Sequence, residues 1–194
     1  MAPHDEHAAS TAPPMLWTIG HSTRSSEEFM ALLSAHAIRR LIDIRRYPGS
    51  RRYPHFHSDA LAKRLVEAGL GYEHMPALGG RRATTADSIN KGWKNAGFRG
   101  YADYMQTEEF QRALEELMVQ GANLRTSVMC AEAVPWRCHR SLVADALVTR
   151  GWDVHHILSP DRVQIHRLTS FAVIQGDRLN YPAPADPDTP PRLF

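Results

Sequence analysis

Short apolar runs alternate with longer amphipathic segments along most of the chain. The runs have the length of buried strands and stand at 16–20, 40–44, 72–75, 125–130, 153–158 and 163–168. Between most of them, apolar residues recur three and four positions apart, which is the spacing of one helix face. Strands that alternate with helices predict the α/β class, with a mostly parallel sheet and helices on both of its faces.

Local signals mark where the predicted helices begin. Ser25 and Glu28 have the spacing of a capping box, in which each side chain bonds the backbone N–H of the other residue. Ser58 and Thr107 are candidate N-caps for two further helices, because their hydroxyls can accept from free N–H groups of a first turn. A fourth helix is predicted over 141–150.

The same pattern predicts one domain between two tails. Residues 15–181 carry the periodic segments and are predicted to form a single domain. Residues 1–14 consist largely of Ala, Pro, His and acidic residues without periodicity, and residues 182–194 are rich in Pro and Asp, which is typical of disordered tails. Within the domain, the segment 76–99 contains several glycines and little pattern, so we expect a flexible or functional loop there.

Composition limits the cellular compartment and the class of partner that we expect. The 194 residues include two cysteines, which is too few for a disulfide scaffold. The amino terminus lacks the apolar core of a signal peptide, and no stretch is long enough to span a membrane. We therefore expect a cytoplasmic protein without a membrane partner. The net charge is only +2, but 20 Arg accompany 3 Lys, and clustered guanidinium groups suit phosphate ligands.

Polar and reactive side chains concentrate directly after the predicted strands. In a parallel sheet the carboxyl ends of the strands share one edge, so the loops that follow them border a common crevice. The residues that this rule brings together are His21, Ser22, Asp43, Arg45, Ser50, Arg51, Cys130, Glu132, His139 and Arg140. The sequence therefore predicts one site that is built from distant segments.

The predicted site combines catalytic groups with a surface for a small anionic, phosphate-bearing ligand. The candidate catalytic residues are Cys130, His21, Glu132, His139 and Asp43. The candidate substrate-binding residues are Arg45, Ser50, Arg51, Arg140 and Ser22. Cys130 ends a strand beside a helix start, which is expected to lower the pKa of its thiol and make it a nucleophile. The alternative is that Cys130 is a small buried core residue. Asp43 and Arg45 share one face of a strand and are expected to pair.

Two other cysteine chemistries fit the spacing less well. A phosphatase-type loop needs an Arg at the sixth position after the cysteine, where this chain has Trp136, and Arg137 comes one place late. A zinc site would draw on Cys130, Cys138, His139 and His21. The spacing of the two thiols is uncommon for zinc, and the side chains of the adjacent Cys138 and His139 are expected to diverge. We therefore assign no metal ligands and name no cofactor.

Several longer motifs resemble the domain of unknown function 488 family. They read TIGHSTRSSEEF, LIDIRRYPGSRRYPHF, LGGRR, GYADYM, MCAEAVPWRCHRSLVADAL and GWDVHHI, in that order, from about Trp17 to about Ile157. The resemblance implies an α/β sandwich domain of bacteria and archaea, and it implies no established activity. The resemblance carries the motif elements of the family onto His21 and Ser22, Asp43 and Arg45, Pro48, Ser50 and Arg51, Cys130 to Glu132, and Cys138 to Arg140.

Three functions are compatible with these patterns. The leading hypothesis is a cysteine-dependent hydrolase or transferase that acts on a phosphorylated or nucleotide-like small molecule. The first alternative is a nucleic-acid-binding or processing module, in which Tyr47, Tyr53 or Phe56 of the Arg-rich loop stack on bases. The modest net charge speaks against this module. The second alternative is a structural or partner-binding domain without turnover. The oligomeric state is left open.

Overall fold

The computed structural model describes residues 12–49, 51–176 and 178–184, and its centre is a six-stranded sheet. The strands are β1 (Met15–Gly20), β2 (Arg40–Asp43), β3 (Gly71–His74), β4 (Thr126–Cys130), β5 (Asp153–Ser159) and β6 (Arg162–Ile165). Their order across the sheet is β3-β2-β4-β1-β5-β6. The first five strands in the chain run parallel, and β6 pairs antiparallel with β5. Each predicted strand is therefore present, with small shifts at its ends.

Five α-helices cover the two faces of this sheet. They are α1 (Ser26–Ala35), α2 (Ser58–Glu67), α3 (Ala96–Tyr104), α4 (Glu108–Asn123) and α5 (Arg140–Val148). Apolar residues of α1 and α2 pack with Ile19 and Leu41 on one face, whereas those of α3, α4 and α5 pack with Leu16 and Val128 on the other. The predicted single α/β domain is confirmed. Within the described part of the chain, no helix combines the length and the apolarity needed to cross a bilayer.

The helix starts follow the polar side chains that precede them. The Ser25 hydroxyl accepts from the Glu28 N–H at 3.1 Å, and the Glu28 carboxylate accepts from the Ser25 N–H at 2.7 Å, so the predicted capping box is confirmed. Thr107 caps α4 through its side chain, as predicted. The prediction for Ser58 is wrong by one position, because the cap of α2 is His57 and Ser58 is the first helical residue.

The segment 76–99 contains a helix start that periodicity does not predict. α3 begins here because the Asn95 side chain accepts hydrogen bonds from N–H groups of the first turn. Gly97 and Gly100 hide this helix in the sequence, since glycine has a low helix propensity. A β-carbon at Gly100 would overlap the carbonyl oxygen of Arg82, so the close packing of the segment requires glycine. The segment therefore forms a packed wall of the domain.

A short hairpin that was not predicted completes the described chain. It consists of β7 (Val173–Gln175) and β8 (Arg178–Asn180) and leads to the buried Tyr181. The backbone N–H of Tyr181 donates to the Asn90 side chain at 2.8 Å, which attaches the hairpin to the middle of the segment 76–99. Both predicted tails lie largely outside the described residues, so their disorder stays a prediction.

The strand order creates a crevice at the carboxyl end of β4. β1 leads into α1 on one face of the sheet, whereas the neighbouring β4 leads into α5 on the other face. Where adjacent parallel strands send their helices to opposite faces, a crevice opens between their carboxyl ends, and α/β proteins bind ligands there. The loops that follow β1, β2 and β4 border this crevice.

Candidate functional site

A cleft of about 380 Å³ opens beyond the carboxyl ends of β2 and β4. Its charged and reactive lining residues are Arg45, Arg46, Arg81, Cys130, Glu132, Arg137, Cys138 and His139. A second cavity of about 560 Å³ shares Arg81, Glu132 and Arg137 with this cleft and extends it past His21 and Ser22. Segments that lie far apart in the sequence therefore meet at one edge of the sheet.

Two thiols and an imidazole form the floor of the cleft. Cys130 and Cys138 expose only 7% and 3% of their surface. The Nδ1 atom of His139 lies 3.9 Å from the Cys130 Sγ and 3.7 Å from the Cys138 Sγ. The expectation that Cys138 and His139 diverge is wrong. Cys138 has an extended backbone whereas His139 is already helical, and this change in conformation turns both side chains towards one point.

The two thiols titrate as a pair, and Cys138 is the more acidic member. The Cys130 thiol donates to the Cys138 sulfur, and this hydrogen bond together with burial raises the pKa of Cys130. Burial by itself would raise the pKa of Cys138 too, but hydrogen bonds from Cys130 and His139 and the charges of His139 and Arg140 outweigh burial and lower it. The expectation of a lowered pKa at Cys130 is therefore wrong, because the hydrogen bond between the thiols and burial raise that pKa, and the member of the pair with a lowered pKa is Cys138.

Three contacts fix how His139 presents its imidazole. The Nε2 atom lies 3.3 Å from the carbonyl oxygen of Ile44, which can only accept, so Nε2 carries a hydrogen. The Tyr101 ring packs against the imidazole with 5.0 Å between the centroids. A β-carbon at Gly80 would lie 2.8 Å from Nδ1, so glycine keeps the space beside that atom open. Nδ1 is therefore held towards the two sulfurs.

Asp43 and Arg45 form the buried ion pair that their spacing predicts. The Arg45 Nε lies 2.9 Å from one carboxylate oxygen and its Nη2 lies 2.6 Å from the other. The Tyr72 hydroxyl donates to the same carboxylate at 3.1 Å, and Arg45 also donates to the carbonyl of Phe56 at 2.7 Å. Asp43 lines neither cavity. Its carboxylate therefore holds Arg45 in place from behind the cleft.

His21 links the loop after β1 to the end of β4. The backbone N–H of His21 donates to the backbone carbonyl of Cys130 at 3.0 Å. Its Nδ1 donates to the Ser22 carbonyl at 3.0 Å, and its Nε2 accepts from Arg45 at 3.3 Å. Burial, assisted by the charge of Arg45, lowers the pKa of His21 to about 4. His21 is therefore neutral at pH 7, and both of its ring nitrogens are engaged inside the protein.

Only part of the predicted anion-binding set reaches the cleft. Arg140 is 1% exposed, and its guanidinium donates to the Thr18 hydroxyl at 3.1 Å and to the carbonyl of Glu132. Arg51 is exposed but lines neither cavity. Ser50 lies outside the described residues. The placement of Arg140 and Arg51 therefore does not support direct contact with a ligand in the cleft.

Three other guanidinium groups stand at the cleft instead. They belong to Arg46, Arg81 and Arg137. Two of these residues come from adjacent Arg pairs, in which one member folds inwards. Arg45 is held by Asp43, and Arg82 lies 3.5 Å from the centre of the Tyr104 ring. The sequence shows both pairs, but which member keeps its guanidinium available at the cleft depends on these partners, since Arg45 also lines the cleft but is engaged by Asp43.

Comparison with known proteins places the chain in a family. The family model described as "Domain of unknown function DUF488" matches residues 25–147, which is more than half of the 194-residue chain. The chain belongs to the DUF488 family. Neither a search of curated proteins nor a search of solved structures finds a match. The DUF488 description states no activity, so function has to be argued from the site.

A buried chain of polar side chains runs behind the cleft of this DUF488 protein. Its members are, in order, Arg140, Thr18, His156, His166 and Asp145, with successive contacts of 3.1, 2.8, 2.9 and 2.8 Å. Because a guanidinium only donates and a carboxylate only accepts, every hydrogen bond points from Arg140 towards Asp145. Burial, followed by the neighbouring His166 and Arg140, lowers the pKa of His156 to about 3. Sequence reasoning missed this chain, because its members are scattered over four segments.

The cleft of this DUF488 protein pairs a cationic rim with reactive sulfur on its floor. Guanidinium groups such as those of Arg81 and Arg137 match the geometry of phosphate oxygens. Glu132 is exposed within the same cleft, so its carboxylate is available to carry a proton. Thiolates at such a place act either as nucleophiles or as ligands of a metal ion.

Proposed function

We propose that this protein is an enzyme, a hydrolase or a transferase, that acts on a small phosphorylated or nucleotide-like substrate in the cleft. One observation carries the proposal: guanidinium groups of Arg46, Arg81 and Arg137 surround a cleft whose floor holds two buried thiols. These arginines come from three different loops. A rigid sheet edge therefore orients cations from several directions towards one small volume.

The rim has the free cations that anion binding requires. Among the described residues, neither Arg81 nor Arg137 makes an ion pair with a carboxylate, and both are exposed. The Nη1 atom of Arg46 donates a hydrogen bond to the Arg81 carbonyl at 2.9 Å, and this contact fixes the position of the Arg46 guanidinium. A planar guanidinium that is held in this way can meet two phosphate oxygens at once.

The chemical centre of the proposed site is the thiol pair. Cys138 provides the thiolate, and Cys130 holds it by a hydrogen bond. Glu132 is the proton carrier in this proposal, because it faces the cleft whereas His21 is neutral and engaged by Ser22 and Arg45. Asp43 positions Arg45, and Arg140 supports the loop that carries Glu132.

Ligand binding tests the cationic rim. Titration calorimetry with inorganic phosphate and with a nucleoside monophosphate should show saturable binding to the wild-type chain. Arg81→Gln and Arg137→Gln should each weaken it about tenfold, since each removes a charge-assisted hydrogen bond. Arg112→Gln is the matched control, because Arg112 is exposed on α4 away from the cleft and its loss should change nothing. Equal affinities of Arg137→Gln and Arg112→Gln would count against the proposal.

A turnover assay tests the proposed role of the two thiols at the floor of the cleft. A panel of phosphomonoesters and nucleotides should reveal a substrate that the wild type converts and that Cys138→Ser and Cys130→Ser do not. Circular dichroism and urea unfolding of the variants establish that they remain folded. Cysteine variants that alter only stability, with no turnover to lose, would favour a structural or partner-binding domain instead.

One exposed aromatic residue keeps the nucleic-acid module as a second candidate. Tyr47 is 63% exposed and lies beside Arg46, with 5.5 Å from the guanidinium to the ring centre, at the rim of the cleft. Stacking of a base on Tyr47 would give oligonucleotide binding that weakens steeply with salt. Tyr47→Ala should then reduce oligonucleotide binding and leave phosphate binding intact.

A further inference from the structure

We propose that Cys130, Cys138 and His139 bind a Zn²⁺ ion whose fourth coordination position opens into the arginine-lined cleft. Two thiolates and an imidazole are donors that zinc prefers, and three protein ligands with one open position are typical of catalytic zinc. The metal site follows from these three side chains alone. Only the nature of the fourth ligand, a water molecule replaced by a phosphate oxygen of the substrate, rests on the proposed function.

The three donor atoms are already arranged almost as a tetrahedral site requires. With zinc–sulfur bonds of about 2.3 Å and zinc–nitrogen bonds of about 2.0 Å, sulfur and nitrogen ligands lie about 3.5 Å apart. The Nδ1 atom of His139 lies 3.9 Å from the Cys130 sulfur and 3.7 Å from the Cys138 sulfur. All three donor atoms lie within 4.8 Å of one another. Small side-chain rotations therefore suffice to close the site around the ion.

The contacts of His139 match those of a metal-bound imidazole. Histidine ligands usually donate the N–H that does not face the metal to a backbone carbonyl or a carboxylate, which fixes the ring and its tautomer. Here Nε2 is oriented towards the Ile44 carbonyl at 3.3 Å, so Nδ1 is the nitrogen that faces the sulfurs, and it would bind the ion after losing any proton it carries. Gly80 leaves room beside Nδ1, since a β-carbon there would approach to 2.8 Å.

The buried position of the sulfurs also favours a bound cation. Cys130 and Cys138 belong to the same apolar core as Leu142, where two thiolates without a counterion would be costly. Arg140 lies nearby, but its two terminal nitrogens donate to Thr18 and to the carbonyl of Glu132. Binding of Zn²⁺ would neutralise both sulfurs and release the protons that remained on the thiols.

The open side of the site determines what the metal would do. Among the described residues, the group of possible ligands has only three members, and all three line the cleft. Zinc with an open position activates a bound water or polarises a phosphoryl oxygen. Arg137 and Glu132 line the same cleft, where they would hold an anionic group and carry a proton. The sulfurs would then be ligands, and the attacking group would come from solvent.

Metal loading of the full chain tests the proposal directly. The protein is reduced, stripped with a chelator, refilled with Zn²⁺ or Co²⁺, and desalted. We expect about one zinc per chain by elemental analysis, as one Cys₂His site requires. The Co²⁺ form should show sulfur-to-cobalt charge transfer and the visible bands of tetrahedral coordination, which report sulfur ligands without any assay of activity.

Substitutions distinguish the three proposed zinc ligands from nearby residues that do not bind the ion. Cys130→Ser, Cys138→Ser and His139→Gln should each lose most of the retained zinc and the charge-transfer band. Arg137→Gln is the matched control, because Arg137 lines the cleft without being a ligand and should retain metal and spectrum unchanged. Gly80→Ala keeps every ligand but crowds Nδ1, and it should weaken Co²⁺ binding while the chain remains folded by circular dichroism.

The outcomes distinguish this inference from the proposed function. A folded, reduced wild type that retains no zinc and shows no cobalt–sulfur band overturns the metal site, even if phosphate still binds at the rim. Unchanged spectra in Cys138→Ser would overturn it as well. Full metal binding without any affinity for phosphate would leave the zinc site standing and remove the proposed substrate class.

Discussion

The Tyr181 hydroxyl donates a 2.8 Å hydrogen bond to the fully buried carboxylate of Asp145, and this contact fastens the end of the domain to the middle of α5. The same carboxylate accepts from His166 at 2.8 Å and from the N–H and hydroxyl of Thr169 at 2.9 and 2.7 Å. Four hydrogen-bond donors from three residues therefore converge on the Asp145 carboxylate. The helical periodicity of the sequence places Asp145 in a helix but does not reveal these contacts.

Removal of this carboxylate should destabilise the domain severely. Asp145→Ala leaves the donors of His166, Thr169 and Tyr181 buried without an acceptor, and we expect a loss of about 4 kcal/mol in the free energy of unfolding. Urea unfolding followed by circular dichroism measures this loss. The control is Asp161→Ala, at a fully exposed carboxylate, which should leave the urea midpoint unchanged. Equal midpoints for the two variants would contradict the assigned role.

Stability should fall as the solution is acidified, because His156 resists protonation in the fold. Its pKa is lowered from 6.5 to about 3, so the unfolded chain binds a proton between these values while the folded chain does not. The contribution of His156 to the free energy of unfolding should be constant above about pH 6.5 and fall by about 1.4 kcal/mol per pH unit below it. His21, with a pKa of about 4, adds a similar slope above pH 4.

Urea titrations at pH 7.5, 6, 5 and 4 test this linkage. The groups that face His156 and bear on its charge are Thr18, His166, Arg140, Cys138 and His155. His156→Gln should remove about half of the slope between pH 6 and pH 4, since His21 remains. His155→Gln leaves His156 in place and should keep the wild-type slope. A slope unchanged in His156→Gln would exclude His156 as its source.

Two glycine substitutions should separate crowding from backbone strain. A β-carbon at Gly20 would overlap the carbonyl oxygen of Glu132 and lie 2.8 Å from the Arg140 guanidinium, so Gly20→Ala should cost more than about 3 kcal/mol. Gly69 has a φ of +73° with no atom within 4 Å of the added carbon, so Gly69→Ala should cost about 1 kcal/mol. Thermal or urea unfolding compares them, and a smaller cost at Gly20 would be inconsistent with the packing described above.

Arg45 and Arg137 should show opposite phenotypes, although both line the cleft. Arg45→Gln leaves the buried Asp43 without its cation, and we expect a loss of about 3 kcal/mol in the free energy of unfolding. Arg137→Gln removes an exposed cation and should leave stability intact while weakening phosphate binding. Urea unfolding and calorimetry on the same two samples give both readouts. The assignment fails if Arg45→Gln is as stable as Arg137→Gln.

The frame of the fold could be predicted because local rules govern it. Buried strands such as 16–20 appear as apolar runs, and the Ser25–Glu28 box marks a helix start from within four residues. α3 could not be predicted in the same way, because Gly97 and Gly100 lower its helix propensity, and Gly100 is required by close packing against the Arg82 carbonyl. The hairpin β7–β8 has strands of only three residues each, and β7 is exposed throughout, so the hairpin leaves almost no periodic signal.

The site could be predicted as a set of loops but not as a set of side chains. The parallel sheet brings the loops together by a general rule. Both Arg45 and Arg46 line the cleft but Asp43 engages only Arg45, and the lowered pKa of Cys138 depends on hydrogen bonds from Cys130 and His139. Spacing within one motif is enough to predict the Asp43–Arg45 pair. The hydrogen bond from Arg46 to the Arg81 carbonyl, and the approach of Cys130 to Cys138 and His139, depend on how separate segments pack, so the sequence does not reveal them.

The central position of β1 limits how far the chain can be shortened. The family match begins at residue 25, after β1 has ended, yet β1 pairs with β4 on one side and β5 on the other. A fragment trimmed to 25–147 would expose the backbone edge of β4 and invite intermolecular strand pairing. We therefore expect a fragment that folds by itself to extend beyond the family match at both ends.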